Sequence, residues 1–109
     1  VEDQEAIFQL IVNGGNVRSS SMEAISLAKE GKYTLARKML QEAANELHEA
    51  HKIQTQLIQK EARGERQEIT LLMVHAQDHL MNAMTVKDLA QELVDLYEQG
   101  LRRWSSEGT

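Results

Sequence analysis

Apolar or small residues recur at Ile7, Leu10, Gly14, Val17, Ser21, Ala24 and Ala28, in steps that alternate between three and four. That rhythm returns side chains to one side of an α-helix, so the segment is predicted to be a helix with one buried stripe. Gly14-Gly15 interrupts the stripe. Each glycine costs roughly 1 kcal/mol relative to alanine inside a helix, so a kink or a close backbone approach is expected there. Lys29-Glu30-Gly31-Lys32 reads as a stop, with Gly31 in the C-terminal cap region. A second stripe, Ala36, Leu40, Ala43, Leu47, Ala50, Gln54 and Leu57, predicts a helix from about Tyr33 to Ala62. Gly64 marks the next turn, and a third helix is predicted to begin near Gln67 and to run past Tyr97. Residues 105–109 are expected to fray.

Long helices joined by short turns predict an all-α fold, an antiparallel up-down-up three-helix bundle. Residues 1–109 are read as one domain. The third helix carries two stripes. One is Ile69, Met73, Ala76, Leu80 and Ala83; the other is Leu71, Val74, Asp78, Met81 and Thr85. At ~100° per residue they point in nearly opposite directions. A three-helix monomer covers one of them well, so an oligomer is predicted, with this helix packed on both sides. Asp78 sits inside the second stripe, where a lone carboxylate is costly. Around a symmetry axis it would meet its own copies, and like charges repel. A cation, shared protons or ordered water would have to compensate. Three copies around a divalent cation is one solution, and an oxygen ligand suits a hard ion such as Mg2+. The stripe alone does not fix the number of copies.

Composition narrows the class. The chain has no proline, one Trp, two Tyr and one Phe, which suits long helices better than sheet. Without cysteine there is no disulfide framework, thiolate metal site or catalytic thiol. The net charge is -5, with basic residues interleaved among acidic ones, which argues against nucleic-acid binding. No apolar run approaches the ~18 residues of a membrane span. Val1 predicts a trimmed N-terminus, and no signal-peptide pattern is present. The expectation is a soluble, cytoplasmic protein.

The candidate chemistry lies in the middle of the third helix. His75 falls between its two stripes, with Asp78 at i+3 and His79 at i+4, while Gln77 points to a different flank. A neutral imidazole is a nucleophile towards a phosphoryl group, and His79 could stabilise the charge that results. The same His-x-x-x-His pair is compatible with a transition metal, although no Glu follows the first His and no third ligand is evident. A satisfied structural pair is the third reading, so spacing alone leaves a catalytic, a metal-binding and a structural or adaptor role open. No organic cofactor is expected. His48 and His51 are read as a structural pair bonding across helices at a bundle edge. Met22, Met39, Met73, Met81 and Met84 are read as core or interface filler, and Trp104 as an end-cap of the bundle.

Three segments carry a resemblance. Val74-His75-Ala76-Gln77-Asp78-His79-Leu80-Met81 resembles the active-site signature of the enzyme IIA components of the lactose/cellobiose family, in the bacterial phosphoenolpyruvate-dependent sugar phosphotransferase system. Residues 11–19 resemble the family's first-helix motif, residues 50–58 its second-helix motif, and the Gly64-Glu65 turn is in register. Val17 departs from the alanine of many members, which bears on packing near the glycine pair and not on chemistry.

The resemblance implies a homotrimer of three-helix subunits and a phosphocarrier. His75 would be phosphorylated on Nε2 by the phosphohistidine of the carrier HPr. It would pass the group to a cysteine of the cognate IIB component during sugar uptake through the membrane component IIC. Asp78 would be the carboxylate at the trimer axis, around a metal ion in some members; Gln77 and His79 would support His75. Ala76 after the histidine looks more like the cellobiose, chitobiose and oligo-β-glucoside members than the lactose ones.

Overall fold

The stripe of the first helix is buried along its length: Leu10, Val17, Ser21, Ala24 and Ala28 are sealed from solvent, and Ile7 nearly so. In the computed structural model, the backbone of residues 2–107 and the side chains of residues 4–100 are described. The chain forms α1 (Glu2–Lys29), α2 (Tyr33–Ala62) and α3 (Leu71–Glu107). The side chain of Trp104, expected as an end-cap, lies outside the described residues, as do Gly108 and Thr109. The fraying expected from residue 105 is not what the backbone shows up to Glu107, which remains helical.

Both turns are made by glycine in the left-handed region, at φ 77° for Gly31 and 88° for Gly64. In the first, the N–H groups of Gly31 and Lys32 donate to the carbonyls of Ala28 and Leu27. In the second, those of Gly64 and Glu65 donate to Glu61 and Lys60. This paired pattern closes the open carbonyls at a helix end, and it requires a residue without a Cβ penalty at the reversal.

The start of α3 differs from the sequence expectation. It begins at Leu71 rather than near Gln67. The Met73 N–H donates to the Thr70 hydroxyl at 3.1 Å, and the Val74 N–H to the Thr70 carbonyl. Thr70 thus caps the helix, and a cap residue leaves helical geometry at its own position. Ile69, assigned to the inner stripe, therefore precedes the helix and is 82% exposed.

The core consists of three consecutive clusters. Ile7 and Leu10 pack with Ala50, Leu57, Ala76 and Leu80. Val17 packs with Ala43 and Ala83. Ala24 and Ala28 pack with Ala36, Leu40, Ala90 and Val94. Alanine at so many contact points brings the axes towards the ~8 Å end of the usual spacing. Leucines such as Leu10 and Leu80 supply most of the hydrophobic free energy, about 1.5–3 kcal/mol each. α1 packs against both other helices, which touch each other far less. The last cluster is tied by Arg37, which donates to Asp95 and Glu98, and by the Tyr33 hydroxyl, which donates to the Tyr97 carbonyl. The hydrogen bond to Glu98, then that to Asp95, raises the guanidinium pKa above its ordinary value.

Candidate functional site

α3 leaves its second stripe uncovered. Leu71 is 85% exposed, Val74 and Met81 each 52%, and Asp78 and Thr85 are exposed too. Asp78 accepts a hydrogen bond from the Asn82 amide at 3.3 Å. Beside this stripe, Leu57, Ile58, Ile69, Met73, Val74 and Met81 line an open, mainly apolar groove between α2 and α3.

His75 stands exposed at the edge of that stripe. Its ring stacks on His79, with centroids 5.7 Å apart and planes 21° from parallel. The stack weighs against chelation of one metal by this pair. Ring lone pairs lie in the ring planes, and nearly parallel planes do not bring two nitrogens to ~2.0–2.1 Å of a common ion. Among the described residues, no group of three or more His, Cys, Asp or Glu within the chain could hold a metal. A cation at Asp78 would have to draw on further copies of the chain. An exposed carboxylate with a polar neighbour suits a hard ion in such an assembly.

His79 is half-buried because α1 approaches it closely. A Cβ built on Gly14 would lie 2.9 Å from His79 Cδ2, and one on Gly15 would lie 3.6 Å from Nε2. The glycine pair thus produces a close approach, while α1 remains one continuous helix. Gln77 faces the other way, as expected: the Gln54 amide donates to its Oε1 at 2.8 Å, tying α3 to α2. His75 and His79 are therefore brought together, while Gln77 is held on a separate flank.

The sequence reading assigned no site role to several residues beside His79. Gly15, Arg18, Ser19, Met22, Glu23 and Ser26 line a groove with His79. Their spacing along one side of α1 was the available signal, but charge alone did not say which helix they would flank. Asn13, next to Gly14, is buried; its Oδ1 accepts from Gln9 at 2.7 Å, and its Nδ2 has no partner among the described residues. His48 and His51 do not bond across helices among the described residues. They line a shallow groove on α2 with Lys52, Thr55 and Gln56.

Comparison with known proteins agrees with this arrangement. The family model for the lactose/cellobiose-specific IIA subunit of the PTS system matches residues 5–98. The lichenan-specific phosphotransferase enzyme IIA component of Bacillus subtilis is 64% identical over 98 residues, covering 90% of this chain and 89% of its own. The crystal structure of the PTS cellobiose-specific enzyme IIA from Bacillus anthracis superposes with a TM-score of 0.88 at 52% identity, over 91% of both chains. A chain in the solution structures of the IIA(Chitobiose)–HPr complex of Escherichia coli gives a TM-score of 0.77 at 38% identity, over 88% of this chain and 93% of that one. The chain belongs to the lactose/cellobiose-specific IIA subunit family of the phosphotransferase system. It is a component of that system, and the resemblance carried by residues 74–81 holds.

Proposed function

We propose that this protein is a phosphocarrier in which His75 receives a phosphoryl group from phospho-HPr and gives it to a cysteine of the cognate IIB component. The observation that carries this reading is the exposed His75 ring, braced on one face by His79 within a matching family signature. The His75 Nε2 lone pair attacks the phosphorus of the donor phosphohistidine, forming one N–P bond as the other breaks and the donor imidazole leaves. Because like replaces like, the transfer is close to thermoneutral, and alignment with charge compensation supplies most of the catalysis. In the second step the IIB thiolate attacks, an S–P bond forms and the His75 imidazole is released. His79, stacked against His75, is placed to offset phosphoryl charge.

The acceptor component would hand the group to a sugar entering through IIC. The names of the lichenan- and cellobiose-specific relatives support a β-glucoside over lactose. This subunit need not touch the sugar. Membership of the IIA family supports a cytoplasmic site of action.

The assembly we propose is an up-down-up subunit repeated three times. The order of the core clusters, ascending along α1 and α3 and descending along α2, supports the first part. The uncovered second stripe of α3 supports the second. Copies of Asp78 would meet at the axis and hold a hard divalent cation such as Mg2+, whose chemistry there is charge neutralisation.

Intact-protein mass spectrometry after incubation with phosphoenolpyruvate, enzyme I and HPr tests the carrier role. One acid-labile phosphoryl group per chain is expected, and none on a folded His75→Ala variant. No added mass while HPr is phosphorylated, or uptake persisting in His75→Ala, refutes it.

A further inference from the structure

We infer that Gly14 is a positioning residue for phosphoryl transfer: its missing side chain makes the seat in which His79 lies, and His79 in turn orients the His75 ring. This rests on the reading of His75 as the phosphoryl acceptor.

Gly14 is buried in the middle of a 28-residue helix, where glycine is the poorest choice after proline. It has no positive φ and makes no turn, so backbone conformation does not explain it. The space it leaves does. An added Cβ would lie 2.9 Å from His79 Cδ2, inside the ~3.5–4.0 Å at which carbon atoms rest against each other. The same Cβ would lie 3.5 and 3.6 Å from the carbonyl oxygen and carbon of His79, which are ordinary contacts. The α3 backbone can therefore stay where it is, and the imidazole must move. Gly15 is different: its added Cβ would meet only His79 Nε2, at 3.6 Å.

The next link is the stack. His79 lies against His75 at 5.7 Å between centroids. His75 is otherwise exposed, so this contact restrains a ring that solvent would leave to rotate. In-line attack needs the ring lone pair aimed at phosphorus from about 3–3.5 Å, and a misplacement of about 1 Å can cost about 100-fold. A glycine on α1 thereby controls a nucleophile on α3 that it does not touch.

The test compares the parent with Gly14→Ala, Gly15→Ala, His79→Ala and the Gly14→Ala/His79→Ala pair. Imidazole 1H–15N correlation spectra are recorded on the unphosphorylated proteins, and initial rates of phosphoryl uptake from phospho-HPr are measured on the same samples. Gly14→Ala is expected to shift the ring signals of both His79 and His75 and to slow uptake about ten-fold or more, with the helical signal retained. Gly15→Ala, whose added Cβ would meet His79 Nε2 only at an ordinary contact distance, is expected to disturb the ring signals and the rate less than Gly14→Ala does. In the His79→Ala background, adding Gly14→Ala is expected to change nothing further. Unmoved His75 signals in Gly14→Ala, or an equal loss of rate from Gly14→Ala when His79 is absent, overturns the inference. If Gly14→Ala melts the bundle, restored folding in the pair supports the seat and continued unfolding refutes it. If the parent takes up no phosphate, the carrier reading falls, and the ring signals still decide whether Gly14 acts on His75 through His79.

Discussion

The two faces of α3 are both lined with apolar residues and meet opposite fates. The inner face, Ala76, Leu80, Ala83, Ala90 and Val94, is fully covered by α1 and α2. The outer face, Leu71, Val74, Met81, Leu89 and Leu96, stays in solvent. The inner face alternates small residues with leucine or valine, which lets three axes approach. The outer one is interrupted by Asp78, which no ion pair among the described residues neutralises. The difference teaches that contacts within one chain cover only one face of this helix. A contiguous apolar stripe left in water normally belongs to an interface.

The largest expected effect comes from charging the outer face. Val74→Glu with Met81→Glu should keep the helical circular-dichroism signal while sedimentation falls to a single-chain mass, because each buried charge without a partner is expensive. An unchanged assembly would mean that the stripe is not the contact. Truncating the inner face at Leu80→Ala should cost about 2–5 kcal/mol in denaturant unfolding. A smaller loss would show that the alanine-lined seam collapses into the gap. The mildest change is Asp78→Leu, expected to raise the thermal stability of the assembly by about 1–4 kcal/mol if the carboxylates are mainly a desolvation cost. Dissociation of that variant would show instead that a carboxylate–cation cluster is needed for assembly.

Much of this was legible in the chain because burial follows helical period. Every residue of the α1 stripe is buried, and α2 runs over the residues that its stripe and its glycine stop foretold. Periodicity was blind to the start of α3. Residues 67–70 fit a helical pattern, and only the local bond to the Thr70 hydroxyl shows that the helix begins after them. The site was legible in part. Spacing put His75 and His79 one turn apart, but neither the seat at Gly14 nor the bond from Gln54 to Gln77 follows from one helix alone. Both depend on the register between helices, which is set by how residues far apart in sequence interlock. The expected cross-helix bonds of His48 and His51 do not form among the described residues, where the two line a groove with Lys52, Thr55 and Gln56 on α2.

The central position of α1 has a consequence for how the molecule comes into being. α1 and α2 are joined by a tight reversal and can zip together as a hairpin from local contacts, which form quickly. The other flank of α1, including the hollow at Gly14, has no occupant until a segment more than sixty residues downstream has left the ribosome. The histidine pair is thus expected to be the last part of the subunit to acquire its shape, on a half-built hairpin whose alanine-rich flank waits open. Pulsed hydrogen exchange during refolding would detect this as late protection around residues 14–21 of α1 and 76–83 of α3, following earlier protection at the α1–α2 turn.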